Sequence, residues 1–156
     1  MSDAANTQFT QEEILSHAQG NATAFVLSAF AFLKERGIDP DDYVAFFGRW
    51  VAPGWEEMRS RPVVDVAREA ALNAVSVGGE LRSLSGDDAS AEVLVAGWPG
   101  EELLSELQLT QGEGDQLWNA FAPIIEHLVL RYGWQRQDDV VRITVERERG
   151  QSSEQP

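Results

Sequence analysis

Two stretches constrain the fold most, because each sets two strand-like runs on either side of a turn too short to hold a crossover. Glu80 to Leu84 and Ala91 to Ala96 flank Gly86-Asp87-Asp88, and Trp134 to Arg136 and Val140 to Val145 flank Asp138-Asp139. A parallel pair needs a connection of about a dozen residues or more, so both pairs read as antiparallel hairpins. Val93 and Val95 alternate on the first hairpin, and Val141, Ile143 and Val145 on the second. Side chains two apart share a face, so these valines and the isoleucine mark the buried side of a four-stranded sheet.

Helical patterns fill the rest. Thr10 and Glu13 have the spacing of a reciprocal N-terminal cap, and Gly37 suits the stop near Arg36. Between them Ile14, Ala18, Ala22, Phe25, Ala29 and Phe32 or Leu33 recur at helical spacing, with Gly20-Asn21 a possible kink or second start. From Phe25 to Leu33, Val26, Leu27 and Phe30 add apolar groups on nearly every side, the mark of a central helix or of one packed in an oligomer. Asp39-Pro40-Asp41-Asp42 starts a short helix through Phe46, Phe47 and Trp50 that ends at Pro53-Gly54. A turn follows at Trp55 to Arg59, and then a helix from Pro62 to about Val77 with a small inner stripe of Val63, Ala67, Ala70 and Ala74. After the first hairpin, Glu101-Glu102 opens a helix to about Leu107, and Gly112 to Gly114 reads as a flexible connection. Asp115 is placed as the cap of a last long helix reaching Tyr132, kinked at Pro123 and closed by Gly133.

The expected fold is therefore α+β, in the order αααββααββ, with helices on one face of an antiparallel sheet made of two hairpins. At 156 residues the chain suits one domain, placed at 10–147 between a disordered arm at 1–9 and a disordered tail at 148–156. Twenty-six acidic residues against twelve basic ones give a net charge of -14. With the basic residues scattered singly, neither nucleic acid nor an anionic membrane is an expected partner. The absence of cysteine excludes disulfides, thiolate nucleophiles and cysteine-ligated metals. A polar stretch from Met1 to Thr10 and an apolar run at Ala24 to Leu33 half the length of a membrane span point to a cytoplasmic chain.

Sites with catalytic or metal chemistry are poorly framed. His17 shares a helix face with Glu13, but neither it nor His127 sits in a Glu-x-x-His frame, so no metal or cofactor is expected. The acidic doublets fall at helix starts and turns, where capping explains them. Aromatic residues are the remaining signal. Trp50, Trp55 and Trp98 stand beside proline or glycine turns, where an indole plugs a junction or walls a pocket. Asn73 falls on the apolar stripe of the third helix and must bond backbone or face a cavity.

These features suggest a non-catalytic domain binding a small apolar ligand through Trp50, Trp55, Asn73 and Trp98, or scaffolding, as a homodimer through Phe25 to Leu33. The alternative is a small hydrolase or isomerase using His127 with Glu126 or Tyr132.

Overall fold

The computed structural model describes residues 9–148, so the arm and tail expected at 1–9 and 148–156 lie outside it apart from Phe9 and Glu148. Helix α1 spans Gln11–Glu35, α2 Pro40–Val51 and α3 Val63–Ser76, with a 3-10 segment at Ala52–Ser60 between the last two. Strands β1 (Glu80–Gly86) and β2 (Ser90–Ala96) follow, then α4 (Glu101–Glu106) and α5 (Gln111–Asp115). A second 3-10 segment at Gln116–Ala120, α6 (Phe121–His127), β3 (Leu130–Gln137) and β4 (Val140–Arg147) complete the described residues. This is the α+β fold, with a four-stranded antiparallel sheet in the order β1-β2-β4-β3.

The expected starts and turns have local causes. Thr10 accepts from the Glu13 amide at 3.1 Å while the Glu13 carboxylate accepts from the Thr10 amide at 2.7 Å, which satisfies two amides that α1 leaves free. The Asp39 carboxylate accepts from the Asp41 amide at 3.0 Å and Pro40 takes the first helical position of α2. In the first hairpin the Asp87 carboxylate accepts from the amides of Ala89 and Ser90. Gly86 there has φ +152, and a Cβ would lie 2.4 Å from the Ser90 carbonyl oxygen, so only glycine fits.

Register then decides which residues are buried. Across the two central strands Ala91 faces Val145, Val93 faces Ile143 and Val95 faces Val141, all buried on one side. The alternate pairs, Glu92 with Thr144 and Leu94 with Arg142, lie on the other side, and a one-residue slip would exchange the two sets. Helix α3 covers the buried side with Val63, Val66, Ala67, Ala70, Ala71 and Ala74. Its alanines let the helix axis approach the valines closely, and each fully buried valine or isoleucine contributes about 1.5–3 kcal/mol. A second cluster of Leu27, Phe30, Val44, Leu104, Leu109 and Leu117 fastens α1 and α2 to α4 and the segment after it.

The structure corrects the reading of residues 112 to 136. The expected long helix is two short pieces, the second 3-10 segment and α6, ending at His127, and Tyr132 and Gly133 belong to β3, which begins at Leu130. Pro123 does not kink a helix; it lies in the first turn of α6, where a missing amide costs nothing. The glycines at 112 and 114 are inside α5, which is started by a second Thr-x-x-Glu cap, Thr110 with Glu113. Gly20 and Asn21 do not interrupt α1, and that helix is not hidden all round: Thr23, Leu27 and Phe30 are buried, and Ile14, Phe25 and Phe32 are exposed.

Asp115 is the largest change of role. It is buried, and its carboxylate receives the Arg136 guanidinium on two atoms, Nε to Oδ2 and Nη2 to Oδ1, both at 2.6 Å. Arg136 Nη2 also donates to the Trp98 carbonyl at 3.1 Å, and Gln111 donates to Asp115 at 3.0 Å. The pair ties β3 to α5 and to the loop after β2. Removing one partner strands the other charge in the interior, so Asp115→Ala should lower the unfolding free energy by about 3 kcal/mol or more. Replacing both residues by apolar ones of similar volume should cost less than that single change, as urea denaturation of the two variants would reveal.

Candidate functional site

A cavity of about 220 Å³ lies where α1, α2 and α3 meet the 116–124 segment. Trp55, Trp98 and Trp118 line it, together with Asn73 and Ser76 of α3 and Tyr43 and Phe47 of α2. The other lining residues are aliphatic or phenylalanine. Trp55 and Trp118 are buried, whereas Tyr43, Phe47, Asn73 and Ser76 are exposed and form the mouth. None of the lining residues is Asp, Glu, Lys, Arg or His.

Each wall is held by its own bonds. The Trp98 indole donates to the Thr23 hydroxyl at 3.3 Å, and that hydroxyl donates to the Val77 carbonyl. Gln19 donates to the Val75 carbonyl at 3.0 Å, a carbonyl that also accepts from the Gly78 amide, so two polar side chains of α1 bond to the C-terminal end of α3. Trp98 and Trp118 stand edge to face, 5.0 Å between centroids at 85°, and Trp55 packs on Phe121 in the same way at 6.4 Å. Perpendicular rings set a positive edge against a negative face and meet in a corner. The Trp118 carbonyl accepts from the Tyr132 hydroxyl at 2.7 Å, while the Trp118 indole N–H is buried without a hydrogen-bond partner among the described residues.

Of the four residues singled out by sequence, Trp55, Asn73 and Trp98 line this one cavity. Asn73 is exposed and not buried on the apolar stripe of α3 as the spacing predicts; it lines the cavity mouth and donates to the Glu69 carbonyl at 2.9 Å. Trp50 is not among the lining residues; it is 71% exposed and leans on Phe47, a mouth residue, at 6.3 Å. Trp118 lies within the span of the long helix expected from Asp115 to Tyr132, and Tyr43 is not among the four residues above. The signal for Tyr43 was present: Tyr43, Phe46, Phe47 and Trp50 stand at i, i+3, i+4 and i+7, one face of a helix.

Of the residues of the alternative reading, His127 and Glu126 border the same surface groove, and Tyr132 is not among the residues that line it. His127 Nε2 lies 2.8 Å from the Glu56 carboxylate, a contact that bonds only when that nitrogen carries a proton. Arg59 reaches the same carboxylate and also donates to the His127 carbonyl at 2.7 Å, so it closes the end of α6. Tyr132 spends its hydroxyl on Trp118, and burial pushes its ionisation far above the ordinary phenol range. Glu126 borders a surface groove with His127, Arg49 and Pro123. Among the described residues no three His, Asp or Glu side chains are placed to hold a metal ion, and no helix is long and apolar enough to cross a membrane.

Comparison with protein-family models, with curated proteins and with solved structures finds no match for this chain.

The Arg59 hydrogen bond, and secondarily His127, holds the Glu56 carboxyl below the ordinary carboxylate range. A lowered folded value means stabilisation that is present above the unfolded value and lost as pH falls through the folded one. Titration followed by NMR should therefore find Glu56 depressed, and Arg59→Ala should bring it back toward the ordinary value. An unchanged titration in that variant would show the cluster is not formed in solution.

Proposed function

We propose that this chain is a non-catalytic domain that binds a small, uncharged, largely apolar molecule in the cavity beside Trp55, Trp98 and Trp118, and that it works as a homodimer. The observation that carries the ligand reading is the cavity itself. A recess this apolar, open at its mouth, leaves indole and aliphatic walls facing water unless an apolar guest covers them, and covering such surface is favourable. An engineered protein cavity of about 150 Å³ accepts benzene. At about 220 Å³ this one offers room for roughly nine non-hydrogen atoms by the same measure.

The lining selects by charge. A carboxylate or an ammonium entering it would leave water and meet no oppositely charged side chain, which costs several kcal/mol. The net charge of -14 adds repulsion against anions. Flat apolar rings fit the corner made by the perpendicular indoles, and Asn73 and Ser76 at the mouth suit a single polar substituent.

Indole and indole-3-carboxylate make a matched pair of probes. Calorimetry should detect indole binding and show the carboxylate at least about tenfold weaker, a difference of about 1.4 kcal/mol. Val77 also lines the cavity, so Val77→Phe should fill part of it and weaken indole by about tenfold or more with the circular dichroism unchanged. The ligand reading fails if indole does not bind, or binds the filled variant equally well.

A further inference from the structure

We infer that two copies of this chain pair through α2, antiparallel about a two-fold axis between Phe46 and Phe47, and that the pairing closes the mouth of both cavities. The inference rests on the homodimer reading and names its surface.

Four aromatic residues on one stripe of α2 face water: Tyr43 is 38% exposed, Phe46 60%, Phe47 42% and Trp50 71%. The opposite side of the helix, Val44 and Gly48, is buried. At about 200 Å² for each aromatic side chain, the stripe leaves roughly 400 Å² of ring surface uncovered. That is about half of the ~800 Å² each partner contributes to a standard interface, so the pair is reversible and depends on each ring.

The stripe complements itself. Turned antiparallel, Phe46 meets the partner's Phe47 and Tyr43 meets the partner's Trp50. The acidic start of α2 then lies beside the end that carries Arg49, which brings Asp42 alongside the partner's Arg49. The first helix offers a poorer surface, because Arg36 already sits over the Phe32 ring at 4.5 Å and the exposed Phe25 stands a full two turns away. Tyr43 and Phe47 belong both to the stripe and to the cavity mouth, so the partner's rings become part of the binding site.

Sedimentation equilibrium on the full chain tests this. A monomer–dimer equilibrium at micromolar concentration is expected, tightening as salt is raised because two copies of charge -14 repel until screened. Phe46→Ser and Trp50→Ser, both at exposed positions, should each weaken the dimer at least about tenfold, and Phe25→Ser should leave it within about twofold. A chain that stays monomeric removes the homodimer reading and this inference together. A dimer lost in Phe25→Ser but kept in Phe46→Ser and Trp50→Ser overturns this surface and leaves the homodimer standing.

Discussion

A buried carboxylate and the partly buried guanidinium beside it hold the second half of this molecule in place. Asp115 comes from the end of a five-residue helix and Arg136 from strand β3, and neither element is long enough to be stable alone. Their bidentate contact, with the Trp98 carbonyl on the same guanidinium, brings together three segments that the chain separates by up to 38 residues. Trp98 is thereby fixed against Trp118, and the corner those two indoles make is a wall of the cavity. A polar interaction that contributes little net stability on its own thus sets the shape of an apolar site.

The cavity follows from the side chains around it. On the sheet side, α3 presents small alanines to the valines of the strands. On its other flank, large rigid rings meet one another at steep angles and cannot interdigitate as aliphatic groups do. Close approaches elsewhere keep those elements from collapsing inward. A Cβ on Gly48 would lie 2.5 Å from the Ala120 carbonyl oxygen, so α2 already touches the 3-10 segment backbone to backbone. The space remains at the side of that contact.

The surface carries two opposed tendencies. Charge of one sign keeps copies apart, and an uncovered aromatic stripe draws apolar surface toward it. The cavity mouth sits at the edge of that stripe, so occupancy of the cavity and cover of α2 are coupled through Tyr43 and Phe47 in the proposed dimer.

The sequence by itself determined the elements whose signals are local. The strand alternation at Val93, Val95, Val141, Ile143 and Val145, the turns at Asp87 and Asp138-Asp139, and the caps at Thr10 and Asp39 each depend on neighbours a few residues away. The four-stranded antiparallel sheet under one layer of helices followed from them. What only the tertiary structure decided involves partners far apart in the chain. Asp115 reads as a cap until Arg136 is folded against it, and Tyr132 continues a helical stripe until pairing with Val145 makes it a strand residue. The face that α2 leaves in water, and the meeting of Trp55, Asn73 and Trp98 around one space, are likewise set by packing between elements and not by spacing within them.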